Sequence, residues 1–142
     1  METTDQQALS LILFSGTDDK LNAATVLVSG AAALDRRVNV FLQYWGLEAF
    51  EKDRIDKDHG ASADAGPEGQ EWLRKAREMP GHQHWADTLR LAGEIGDVHI
   101  TACALSMDLF GITKEDLDPM VDGVEGVVSF LLSAEGSQLV FI

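Results

Sequence analysis

The chain has 142 residues, 45% of them hydrophobic and 25% charged, enough for one domain with its own core. Cys103 is the only cysteine, which excludes an internal disulfide framework and a zinc site built from cysteines alone. Eleven Lys and Arg against 24 Asp and Glu give a net charge of −13, which repels phosphate backbones and anionic lipids and so argues against nucleic-acid and membrane partners.

The polar, acidic start Met1–Gln7 lacks the basic stretch of a signal peptide. The uncharged run Leu21–Leu34 is too short for a bilayer and holds Asn22, Thr25 and Ser29, so a cytoplasmic protein is expected. Ala8–Phe14 is a short apolar run closed by Ser15-Gly16-Thr17 and reads as a buried strand. Thr17 suits a helix cap through its hydroxyl, with Asp18 and Asp19 in the first turn where the helix dipole favours acids. Leu21, Ala24, Val28, Ala31 and Ala32 recur at helical spacing to about Leu34, and Val38–Leu42 is a second strand, which makes a βαβ unit.

Residues Asp56–Gly69 hold Gly, Ala, Ser, Asp and Pro without apolar periodicity and read as an exposed loop. Pro67 opens a short helix whose apolar side is Trp72, Leu73, Ala76 and Met79. Trp85, Leu89, Ala92 and Ile95 mark another, closed by Gly96. A third strand runs from Asp97 to Ala102, with Cys103 immediately after it. Ala104–Phe110 reads as a helix ended by Gly111, and Thr113 with Asp116 as a capping box. A brief strand is expected over Met120–Val124, then a helix over Gly126–Ala134 with Val127, Val128, Leu131 and Leu132 buried, then an apolar terminal strand from Gln138 to Ile142. About five mainly parallel strands, apolar on both faces and alternating with helices, predict one α/β domain over residues 1–142. It is a three-layer sandwich of flavodoxin-like kind.

Such folds collect ligands at the carboxyl ends of their strands. Cys103 stands there, where backbone N–H groups and a helix dipole favour a thiolate, although a lone cysteine is more often a small buried hydrophobe. Ser15, Gly16 and Thr17 after the first strand and Tyr44, Trp45 and Gly46 after the second are expected to line the same cleft. Asp18 and Asp19 oppose a phosphate in that turn, and the spacing of a P-loop is absent. His59, His82 and His84 lack tight spacing to further ligands, so no metal is expected. His99 stands roughly 13 Å along the strand from Cys103, beyond the reach of a thiolate–imidazole pair. From Gly93 to Glu125 eight acidic residues face only Lys114, a surface suited to a basic partner.

Ser15-Gly-Thr-Asp-Asp-Lys20, the strand into Tyr44-Trp-Gly-Leu47, Thr101-Ala-Cys-Ala-Leu-Ser-Met-Asp-Leu-Phe-Gly-Ile112, and the ending from Val121 to Ile142 resemble the DsrE/DsrF-like family of small sulfurtransferases. The likeness spans the chain apart from an insertion at about 53–83. It implies a trimer or hexamer without a cofactor, in which Cys103 accepts sulfane sulfur as a persulfide, as a sulfurtransferase or sulfur carrier. The implied partners are sulfur donor and acceptor proteins, such as a TusA-like carrier or a rhodanese. The Pro-x-x-x-Thr-x-x-Cys pattern of peroxiredoxins is absent, with Ile100 in its threonine position, and no second cysteine is present to release sulfur through an internal disulfide. Two other readings stand beside this one. One is a flavodoxin-like module that stacks a nucleotide or other small ligand on Tyr44 and Trp45. The other is an oligomeric scaffold of the same fold without catalysis.

Overall fold

The computed structural model describes residues 6–142; the reading of the first five residues lies outside them. Five parallel strands, β1 (Leu9–Leu13), β2 (Val38–Leu42), β3 (Val98–Cys103), β4 (Gly123–Glu125) and β5 (Gln138–Phe141), form one sheet in the order β4-β3-β2-β1-β5. Six helices accompany it: α1 (Asp18–Ala33), α2 (Tyr44–Glu48), α3 (Gly66–Arg77), α4 (Trp85–Ile95), α5 (Ala104–Phe110) and α6 (Val127–Ser133). None of the described helices is long and apolar enough to cross a membrane. β2 is central and buried at every position, as an apolar parallel strand must be.

The two faces of the sheet differ. One carries Leu9, Leu11, Leu13, Val38, Val40, Leu42, Ile100 and Ala102 and packs against α1 and α4 through Leu21, Ala24, Val28, Trp85 and Leu89. Burying each such aliphatic side chain stabilises the fold by roughly 1.5–3 kcal/mol, so most of the stability resides here. The other face is thinly covered. Phe41, Cys103, Phe130 and Ala134 form a small cluster of their own, with Ile12 against it, and the rings of Phe41 and Phe130 stack at 4.6 Å. Much of the rest of that face is polar, contrary to the expectation of strands apolar on both sides, with Leu139 and Phe141 of β5 exposed at its edge. Ser10, Asn39 and His99 stand side by side in register. They are satisfied locally: Asn39 donates to Ser10 at 3.4 Å, Arg37 donates to Asn39 at 3.2 Å, and His99 bonds Asp97 at 2.6 Å.

Several further expectations are corrected. The fourth strand begins at Gly123 rather than Met120, because Asp118 and Asp122 turn the preceding segment: Asp118 accepts the Met120 N–H, and Asp122 bonds Ile100 instead of extending the strand. Val127, Val128, Leu131 and Leu132 of α6 are exposed, and the buried residue is Phe130. β5 lies at the sheet edge with Leu139 and Phe141 exposed. Trp85 is 2% exposed and packs on Phe50 in the main core, whereas Trp72 stands in solvent on α3.

The segment Asp56–Gly69 is not a free loop. Asp18 accepts the His59 N–H at 2.9 Å and pairs with Arg77 at 3.1 Å, Asp19 accepts the Ser62 N–H and hydroxyl, and the Asp18 N–H donates to the Gly60 carbonyl. The two acids in the first turn of α1 thus hold this segment as a strap across the helix N-terminus. His84 also has a structural place: its Nδ1 accepts the Ala86 N–H and caps α4. Thr17 precedes α1 in extended conformation, but its hydroxyl makes no capping bond.

Candidate functional site

Cys103 is the last residue of β3 and the N-cap of α5. Beside it in register is Glu125, the last residue of β4. The segments leaving these neighbouring strands diverge: α5 sends Met107 into the main core, while α6 lays Phe130 on the opposite face. Cys103 therefore sits at the crevice where the chain switches sides, the usual place for chemistry in an open parallel sheet.

The thiol is not open to solvent. Cys103 is 4% exposed, because α6 crosses the second face and sets Phe130 and Ala134 against it. A groove of about 240 Å³ runs beside that contact, lined by Asn39, His99, Thr101, Glu125, Phe130 and Ser133. Phe130 lines this groove and also packs in the cluster that holds Cys103. Glu125 sets a negative charge beside the site, and His99 remains with Asp97, away from the thiol.

The residues expected to line a cleft after the first two strands meet at one corner of the sheet, with Trp45 half exposed. A Cβ on Gly16 would stand 2.3 Å from the Trp45 carbonyl oxygen, and one on Gly46 would stand 2.2 Å from that of Leu13. Only glycine allows such contact of backbones. The Ser15 N–H donates to the Ile142 carbonyl, and Thr17 leads into α1 under the strap. Tyr44 and Trp45 join Phe14, Phe110 and Phe141 in an aromatic cap with ring centroids 5.1–6.3 Å apart. Tyr44 adopts φ 48°, a left-handed conformation that is strained for this residue type, and its N–H donates to the buried hydroxyl of Ser106 at 3.2 Å. That bond ties the turn after β2 to the first turns of α5, and so to the backbone that carries Cys103.

Ser106 and Phe130 were not singled out from sequence. Ser106 carried a signal, a serine three residues after the cysteine, where one helical turn returns it to the same side. Phe130 is the one aromatic residue of α6, among four aliphatic residues and two serines. Among the described residues no group of three His, Cys, Asp or Glu side chains converges to hold a metal.

Fold and site define a small parallel α/β protein with one cysteine at the strand-to-helix switch. The sequence pattern of the DsrE/DsrF/DrsH-like family matches residues 5–89 and 84–142, and the chain belongs to that family. Uncharacterized protein YrkE of Bacillus subtilis (strain 168) is 28% identical over 99% of both chains. Two solved structures share the fold. The protein of unknown function MTH1491 from Methanobacterium thermoautotrophicum has a TM-score of 0.66 at 13% identity, and the ychN protein from E. coli has 0.58 at 14%; each match covers 96% of this chain and 100% of the other.

Proposed function

We propose that this protein is a cytoplasmic sulfur carrier or sulfurtransferase in which Cys103 accepts sulfane sulfur and relays it to a partner protein. The observation that carries the reading is the place of Cys103, at the carboxyl end of β3 beside the switch in strand connections and within the segment Thr101–Ile112 that resembles the family. The Cys103 thiolate attacks the outer sulfur of a donor persulfide. A new S–S bond forms to Cys103, the donor's S–S bond breaks, and the donor thiolate leaves with the electron pair. The acceptor thiolate repeats the displacement on the Cys103 persulfide, so the relay involves no net oxidation. The acidic surface favours a basic donor or acceptor, and encounter with it weakens with salt. The apolar outer side of α6 and the Leu139 and Phe141 side chains of β5 support assembly into a homo-oligomer.

Burial of Cys103 favours a second reading, an oligomeric scaffold with an inert cysteine. The nucleotide-module reading has less support, because the first N–H of α1 is taken by Gly60 and two carboxylates occupy that turn. Intact-mass analysis after exposure to glutathione persulfide decides between carrier and scaffold. The carrier reading expects one added sulfur per wild-type chain and none on Cys103→Ser. No added sulfur on wild type, under conditions where a control thiol is modified, leaves the scaffold.

A further inference from the structure

A separate groove of about 470 Å³, within the range of small-molecule sites, lies between α4 and the open flank of β3 on the main-core face. It exists because β4 pairs only with Thr101, Ala102 and Cys103, which leaves the flank of β3 away from β2 open over Val98–Ile100. Leu89, Val98, Ile100 and Met120 supply an apolar lining. Asp122 takes the place of the missing strand, donating its N–H to the Ile100 carbonyl at 2.7 Å and accepting the Ile100 N–H on Oδ2 at 2.8 Å. No hydrogen bond among the described residues engages its Oδ1, and Glu94 on the same rim forms no ion pair among them.

The one cation of the groove is already committed. Arg90 donates to Asp56 and Asp87 at 2.9 Å each and to Asp118 at 2.8 Å. Partial burial opposes its charge, yet the bonds to Asp118 and Asp56 hold its pKa above the ordinary value. An anion entering the groove meets an arginine already paired with three carboxylates, and the carboxylates of Glu94 and Asp122 besides. Gly93 stands on the wall within α4, where glycine costs about 1 kcal/mol relative to alanine. A Cβ there would meet nothing within 4 Å, so packing inside this chain does not require the glycine. It leaves the mouth of the groove open.

We propose that this groove binds a small organic cation, its apolar body on Val98, Ile100 and Met120 and its ammonium between Asp122 and Glu94. Apolar lining and rim carboxylates without an ion pair among the described residues select together for that class of ligand. The inference does not rest on Cys103, and Cys103→Ser should bind as wild type does. The test is fluorescence titration with dansylcadaverine, an aromatic amine, against the anionic dye anilinonaphthalene sulfonate. Expected are saturable binding of one dansylcadaverine per chain, no competition from the anion, and an affinity lowered about tenfold in the double variant Asp122→Asn/Glu94→Gln. Gly93→Leu, which fills the mouth and favours the helix, should abolish binding and leave thermal stability intact. Binding that persists in Gly93→Leu, that is indifferent to the double variant, or that the anion displaces equally well overturns the proposal by assigning the dye to the exposed apolar surface of α6 and β5.

Discussion

The sulfur of Cys103 is shielded chiefly from one side, by Phe130 and Ala134 on and just beyond a helix of seven residues. A buried thiol reacts through local opening, at a rate set by the free energy of that opening. Removing the ring lowers that free energy. Phe130→Ala should therefore speed modification of Cys103 by Ellman's reagent about tenfold or more, at a stability cost of roughly 3–5 kcal/mol. Phe130→Leu should cost less than about 1.5 kcal/mol and leave the rate near that of wild type. An unchanged rate in the alanine variant would show that reagents reach the sulfur by another route. Ser106 acts on the opposite side. Its hydroxyl is the partner of the Tyr44 N–H and helps hold a backbone conformation whose strain costs roughly 1–3 kcal/mol. Ser106→Ala should lower stability by about 1–2 kcal/mol in urea unfolding and broaden the Tyr44 resonances, while loss without change at Tyr44 would leave only a packing role.

At the scale of elements, the strap at residues 56–62 owes its order to the acids of α1. Burial works against the charge on Asp19, but the Ser62 hydroxyl and backbone N–H hold its carboxyl below the usual carboxylate range. A lowered pKa in the folded state means that Asp19 lends stability above the ordinary carboxylate range and loses it as pH falls through the lowered value. The protection of the strap amides, relative to their intrinsic exchange at each pH, should accordingly fall on acidification below that range. Asp19→Ala should show the same loss of protection at neutral pH, and equal protection in the variant would disprove the tether. The alternating apolar runs made the first three strands, α1, α4 and the Thr113–Asp116 capping box legible in the sequence, because each has a single buried side or a single cap chemistry. The strap was read as a loop because its order comes from hydrogen bonds to residues about forty positions away, which no local pattern records. α6 was turned the wrong way because Val127-Val-Ser-Phe-Leu-Leu-Ser133 is apolar nearly all round, so its period selects no face. The hollow over Phe41 admits the one ring available. Cys103 was located correctly at the strand end, but its burial depends on that same choice of face.

The molecule as a whole is a lopsided sandwich. One face of its sheet holds nearly all the core, and the other carries a single short helix whose outer side is more apolar than its inner one. Val128 is 69% exposed and Phe141 63%, and Val127, Leu131, Leu132 and Leu139 are exposed with them. Soluble monomers rarely leave so many neighbouring aliphatic and aromatic side chains in water, whereas a surface buried between subunits is built from such residues. The net charge of −13 opposes random association, so the apolar surface must supply the specificity as well as the affinity of any assembly. Light scattering at micromolar concentration should therefore report a homo-oligomer, and the family resemblance points to three or six subunits. Replacing Val128 and Leu132 together with glutamate adds two charges to an already acidic chain on the exposed side of α6. The variant should scatter as a monomer and keep its far-ultraviolet circular dichroism, since neither side chain supports the core of its own subunit. It should also react faster at Cys103 if neighbouring subunits help to hold α6 in place. A wild-type protein that scatters as a monomer, or a double variant of unchanged mass, would exclude this surface as the contact between subunits.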